Sequence, residues 1–157
     1  MPIPDGSPSN DRPSLDEYFM RMAKLAAKRS TCTRRSVGAL IVKNKRVLAT
    51  GYNGPPKGIT HCEVVGCIRT QLGIPSGKRH ELCRGLHAEQ NAIIQASVFG
   101  VDVSGSTMYV TNKPCIFCAK MALNAGIKEI VFESDYNDAV TDELIRESDL
   151  VFRRLKV

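Results

Sequence analysis

Two short motifs constrain this chain more than any other feature: His87-Ala88-Glu89 and Pro114-Cys115-Ile116-Phe117-Cys118, each at the start of a helically patterned segment. His87 to Phe99 places Ala92, Ile93, Ala96 and Phe99 on one inward face, and Cys115 to Asn124 is again helical, stopped by Gly126. Ser106 to Thr111, between them, reads as a strand. Ligand sites in α/β sheets lie beyond strand ends where helices begin, which is where both motifs fall.

The remaining elements build the sheet around them. Ser14 to Arg29 carries Leu15, Tyr18, Phe19, Met22, Leu25 and Ala26 at helical spacing, and Ser14 with Glu17 makes a capping box. Val37–Val42 and Arg46–Tyr52 are β-branched apolar runs around Lys43-Asn44-Lys45, a hairpin pattern. Lys128–Phe132 reads as a strand, Asp138–Glu147 as a helix and Leu150–Leu155 as a final strand. This order predicts an α/β chain with three α/β/α layers around a mixed five-stranded sheet. Its later strands, joined through helices, should run parallel with right-handed crossovers. At 157 residues and 43% hydrophobic content the chain fits one domain, expected over residues 13–157 after a disordered tail at 1–12.

The chemistry of the motifs points to zinc. Cys115 and Cys118 share one face of a helical turn, and a helix N-terminus favours their thiolates. Pro114 suits that position because no N–H is needed there. With His87 they make three protein ligands, which leaves zinc's fourth tetrahedral position open for catalysis. Glu89 is the expected general acid/base: it would take the proton of the attacking water, pass it to a ring nitrogen and later protonate a departing amine. Backbone N–H groups at the start of the Cys115 helix are placed to stabilise a tetrahedral intermediate.

Composition narrows the setting. No apolar run is long enough to span a bilayer and the first residues lack a secretory pattern, so the expectation is a cytoplasmic protein with no membrane partner. Six cysteines in that setting suit metal or catalysis better than disulfides. The net charge of +6 lies mostly in the first half and fits an anionic ligand. Residues 51–86 combine Gly, Pro, Cys and His with little periodicity beyond a weakly helical Cys62–Leu72, as an insert held by something other than a core.

At these residues the chain resembles the cytidine deaminase superfamily, and specifically the deoxycytidylate (dCMP) deaminase family. The resemblance runs from the first helix to the last strand. It is carried by Val37-Gly38-Ala39, Gly51-Tyr52-Asn53-Gly54, His87-Ala88-Glu89-Gln90-Asn91-Ala92-Ile93, Tyr109-Val110-Thr111, Pro114-Cys115, and Cys118-Ala119-Lys120 leading to Asn124-Ala125-Gly126. It implies hydrolysis of dCMP to dUMP and ammonia, in supply of thymidylate, with zinc as cofactor. It implies that Asn53 bonds the sugar hydroxyl, that Ala88 offers its backbone to the pyrimidine and that Tyr136 covers base or sugar. It also implies a homo-oligomer, commonly a hexamer, with dCTP and dTTP as effectors near Tyr52, Asn53 and Gly54. Viral members carry a structural zinc whose ligand cysteines match Cys32 and Cys62. His80-x-x-Cys83 has ligand spacing and would complete that set, with Cys67 as substitute.

Two other readings stay open. One is a deaminase of another base: cytidine, a riboflavin precursor or tRNA adenosine. The other is a zinc-stabilised nucleic-acid-binding protein, suggested by the basic first half. The absence of Trp, the few aromatic residues and the Glu89 beside the ligands speak against it, and no nucleic-acid partner is expected.

Overall fold

A computed structural model describes residues 11–156, so the tail expected over residues 1–12 lies almost wholly outside the described residues. The first helix, α1 (Leu15–Ala27), opens on the expected capping box. Ser14 Oγ accepts from the Glu17 N–H at 3.2 Å, and the Glu17 carboxylate accepts from the Ser14 N–H at 2.9 Å. Its buried face differs from the expected one. Phe19, Met20, Ala23 and Ala27 are buried, while Leu15, Tyr18 and Leu25 are exposed. The reason lies in the next strand, β1 (Gly38–Lys43): a Cβ at Gly38 would lie 1.9 Å from the Ala23 carbonyl oxygen and 2.6 Å from the Ala27 nitrogen. Only a glycine lets the small-residue side of the helix settle on the strand, and that close fit overrides the larger side chains on the other side.

β1 turns back into β2 (Arg46–Tyr52) through Asn44 and Lys45, both left-handed with φ 50° and 61°. That pair of dihedrals makes the tight hairpin whose twist matches the strands. β3 (Thr107–Asn112) lies antiparallel on the other side of β1, with Leu40 opposite Tyr109. β4 (Glu129–Ser134) and β5 (Val151–Arg154) then add in parallel, giving the order β2-β1-β3-β4-β5. The expected mixed five-stranded sheet forms, with both parallel pairs reached through helices.

Helices cover both faces. On one, Phe19, Met20 and Ala23 of α1 pack on Leu40, Val42, Tyr109 and Val131. On the other, α4 (Ala88–Val98) and α5 (Ile116–Asn124) set Ala92, Ala96 and Ala122 against Ile41, Met108, Val110 and Ile130. Phe99, expected inward, is exposed because the α4 helix ends at Val98 and its contact with the sheet is made by alanines. α6 (Ala139–Glu147) sits beside α5, capped by Asp138, whose carboxylate accepts from the Thr141 N–H and hydroxyl. No helix among the described residues is long and apolar enough to cross a membrane.

A polar tie joins three elements at the edge of the α1 layer. Asp16 accepts from Tyr109 Oη at 2.7 Å and from Arg153 at 2.6 Å, and Arg153 also reaches Glu129. The Arg153 guanidinium holds the Asp16 carboxyl below its usual range against the opposing effect of burial. A carboxylate lowered on folding contributes stability that is complete above about pH 3.9 and fades as pH falls through the lowered native value. Asp16→Asn is therefore expected to lower the thermal midpoint at neutral pH and to converge on the parent protein as acid protonates Asp16. Melts of both proteins from pH 7 to pH 2 test this, and a gap that persists at pH 2 would remove the charge from the explanation.

Between β2 and α4, residues 51–86 form two single-turn helices, α2 (Cys62–Val65) and α3 (Ile68–Gln71), and a 3-10 turn at His80–Leu82. The ends of this insert are stapled by a bridge between Gly54 and Leu86, with hydrogen bonds of 3.1 and 2.7 Å. Beyond the end of β2, only Cys62 and Arg69 of this insert are buried.

Candidate active site

Parallel β3 and the starts of α4 and α5 bring the two motifs together at one end of the sheet. His87 is the N-cap of α4, its backbone N–H held by the Gln90 side chain at 2.8 Å, and Cys115 is the N-cap of α5. His87 Nδ1 lies 3.3 Å from Cys118 Sγ and 3.5 Å from Cys115 Sγ, and the three atoms lie within 4.8 Å of one another. A tetrahedral zinc with bonds of about 2.3 Å to sulfur and 2.0–2.1 Å to nitrogen sets such atoms about 3.5 Å apart, so the trio fits the ion.

The electrostatics fit it as well. Cys115 is pulled down to about 4, chiefly by its hydrogen bond with Cys118 and then by His87, with burial opposing. Cys118 is pushed far up by its hydrogen bond with Cys115, by burial and by the charge of Glu89. A thiolate at Cys115 beside a thiol at Cys118 and the buried Glu89 suits a divalent cation, which would let both sulfurs ionise. His87, Cys115 and Cys118 are thus a group that could hold a metal ion.

Glu89 sits on the first turn of α4, only 4% exposed, and burial raises its carboxyl to about 7. Helical geometry alone turns a residue two positions on from His87 to about the opposite side of the axis. His87 escapes that constraint because it is the cap, with extended backbone at φ −75° and ψ 157°, and so both side chains reach one cavity.

That cavity, about 600 Å³, is lined by Glu89, His87, Ala88, Asn53, Cys115 and Tyr136 among others. Ala88 is fully buried. Asn53 accepts from the Val37 N–H at 2.9 Å and donates to the Arg35 carbonyl at 2.8 Å, so its amide ties the end of β2 to the start of β1. One amide proton and one lone pair remain uncommitted. Tyr136 lines the same space, its hydroxyl raised by burial and by nearby negative groups. Gly54 lines the cavity, while Tyr52 lies outside it, its carbonyl accepting from Asn91.

The candidates for a second metal divide. Cys62 is raised by burial and by the neighbouring Cys32, Cys67 and Cys83. His80 does not join them: its ring stands edge-on to His87 at 5.0 Å between centroids, and to Phe117 at 6.1 Å. The 3-10 turn that starts at His80 aims the imidazole into the cavity, so the spacing His80-x-x-Cys83 misleads. Among the described residues the four sulfurs do not close into a cluster as tight as the His87 trio. Sequence reading passed over Arg34, Arg69, Asn112 and Lys113, which also line the cavity. Lys113 alone had a signal, its place just before Pro114.

The description "Cytidine and deoxycytidylate deaminase zinc-binding region" belongs to the family whose profile matches residues 13–134. The chain is 42% identical to a deoxycytidylate deaminase of Schizosaccharomyces pombe over 94% of its own length, and spans 46% of that relative. It is 39% identical to the deoxycytidylate deaminase of Mycobacterium phage D29, covering 79% of this chain and 98% of that one. Thus it spans about half the length of some relatives and nearly all of others. A solved dCMP deaminase of the cyanophage S-TIM5, in complex with dCMP and dUMP, superposes with a TM-score of 0.76 over 92% of this chain and 98% of that one, at 30% identity. The extent of the profile match, the two helix-start motifs and the metal-fitting trio they assemble all lead to one conclusion: this chain belongs to the cytidine and deoxycytidylate deaminase family.

Proposed function

We propose that this protein hydrolyses dCMP to dUMP and ammonia, in supply of thymidylate, with residues 13–157 acting as one catalytic unit. The observation that carries the reading is the buried Glu89, raised to about 7, in the same cavity as the His87, Cys115 and Cys118 trio. Those three side chains would hold zinc, whose Lewis acidity would lower the pKa of a water to near neutrality. A carboxyl near 7 both accepts and donates protons at working pH. Glu89 takes the first proton of the attacking water and delivers it to the ring nitrogen, then takes the second from the new C4 hydroxyl and delivers it to the exocyclic amine, which leaves C4 as ammonia while the carbonyl forms. The buried backbone of Ala88 faces the pyrimidine, Asn53 offers its remaining amide proton to the sugar, and Tyr136 covers the ligand.

A second zinc in the insert is part of the proposal, with Cys32, Cys62, Cys67 and Cys83 as ligands. His80 is replaced by Cys67, whose thiol, despite burial, is drawn below its usual range by the Thr70 and Arg69 N–H groups. Cys32 and Cys83 each accept from a backbone N–H two residues on, at 3.5 and 3.4 Å. A closed site there would fasten a loop with few buried residues. We further propose a cytoplasmic homo-oligomer, supported by the exposed Ile94, Val98 and Phe99 at one end of α4, with dCTP and dTTP as effectors.

Ammonia release from the zinc-loaded protein on dCMP, cytidine, deoxycytidine, CMP and dCTP tests the reading. Selective turnover of dCMP is expected. Turnover of another base with dCMP inert would replace the substrate while leaving the site chemistry in place.

A further inference from the structure

We infer that Lys113 is a positioning residue: its ammonium clamps the link between β4 and α6, and Tyr136 within it, as a fixed wall of the cavity, the role of Tyr136 over the ligand resting on the deaminase reading above. Lys113 is buried and lies two residues before Cys115. Its backbone N–H donates to the Ser134 carbonyl at 2.8 Å, one step past the last residue pair of β3 and β4. The side chain then crosses to the chain that leaves β4. Its Nζ donates to Asp142 of α6 at 2.8 Å and to the Tyr136 carbonyl at 3.4 Å, and stands 3.5 Å from Asp135.

An ammonium carries three N–H donors, and these three oxygens account for all of them. Lys113 therefore has no donor left for a ligand, although it lines the cavity. What it holds is the wall beside it. Tyr136, Asn137 and Asp138 line the same cavity, on a link without regular secondary structure. Among the described residues no other turn or side-chain hydrogen bond reaches residues 135–137, and Arg154 stands 3.9 Å from Asp135. The Tyr136 side chain is itself too exposed to be seated by packing alone.

Charge keeps the clamp closed. Asp135, Asp138 and Asp142 crowd the start of α6, and Lys113 is the buried cation that faces the first and the last of them. A buried ammonium is costly without its carboxylates, so neither side is free to swing away. The same residue precedes Pro114 and Cys115, the cap of α5. One side chain thus sets the distance between a turn that carries the candidate metal ligands and the wall that carries Tyr136.

The test uses the zinc-loaded full chain and Lys113→Met, which keeps an unbranched side chain and removes its donors. The chain has no Trp, so Tyr136→Trp supplies a single fluorophore on the wall itself. Adding Lys113→Met to that protein is expected to increase acrylamide quenching of the Trp and to shift its emission to the red. In the Tyr136 background, Lys113→Met is expected to keep its zinc and to raise KM for dCMP roughly 10-fold with a smaller change in kcat. Asp142→Asn should move both readouts the same way, and combining it with Lys113→Met should add little, because the two act through one contact. Quenching and emission unchanged by Lys113→Met, or a parent KM, would overturn the clamp. Loss of zinc and of kcat at an unchanged KM would make Lys113 a support for Cys115 and overturn it too. Should Lys113→Met fail to fold by circular dichroism, Asp142→Asn carries the same readouts. A parent protein that turns over no nucleotide would defeat the deaminase reading, while the quenching would still decide the clamp.

Discussion

Glu89→Ala is expected to keep its zinc and to lose dCMP turnover by roughly 10²- to 10⁴-fold, the range that one general acid/base supplies. The metal should stay because the ligand trio, His87, Cys115 and Cys118, is complete without it. The fold should stay as well. A carboxyl only 4% exposed and raised to about 7 by burial is a liability to folding, and removing it relieves that cost. The variant is thus expected to melt no lower than the parent. Cys115→Ala separates the two roles, since it should lose metal and turnover together. Metal analysis beside ammonia release on the three proteins decides the matter: a Glu89→Ala protein with near-parent turnover would overturn the assigned role, and one without zinc would make Glu89 a structural part of the metal site.

Gly51→Ala is the second large effect expected, on stability and activity at once. Gly51 lies in β2 where α4 crosses it, and a Cβ there would meet the Ala88 carbonyl oxygen at 2.2 Å and the Ala92 nitrogen at 2.6 Å. Both obstacles are main chain, so no rotamer change relieves them and the first turn of α4 has to move. Overpacking of this kind typically costs about 1–3 kcal/mol, and with a rigid obstacle the upper end is expected, a fall of several degrees in the midpoint. The same turn carries Glu89 and follows His87, and a displacement of about 1 Å at a catalytic group costs on the order of 10²-fold in rate. Gly54→Ala is the control for stability, because its nearest neighbour would be Thr31 Oγ1 at 3.8 Å. Melts of the two variants and single-temperature kinetics below the lower midpoint measure both effects. A Gly51→Ala protein as stable as the Gly54→Ala control would show that α4 is less firmly seated than the contact implies.

How far the sequence reaches depends on whether the decisive interaction is local. Ser14 with Glu17 and Asp138 act within one turn, so the starts of α1 and α6 were legible. The hairpin was legible for the same reason. The zinc trio was legible too, because its chemistry is written in residue types at two helix starts. Other features rest on contacts between distant segments. The buried side of α1 was misread because Gly38 draws Ala23 and Ala27 onto the sheet, a close approach that no helical pattern records. His80 was misassigned because spacing gives separation along the chain while the 3-10 turn gives direction.

Arg34 and Arg69 show the limit most clearly. In sequence they are two of many basic residues, with no motif to distinguish them. Only the folded insert buries Arg69 to 8% exposure and leaves its Nε without a partner in the cavity that Glu89 also lines. Residue type and local spacing therefore determined the order of elements along the chain, the mixed sheet they build and the candidate metal ligands and general acid/base. The tertiary structure alone decided which cations line the cavity, because burial and the loss of a hydrogen-bond partner are properties of surroundings that come from far along the chain.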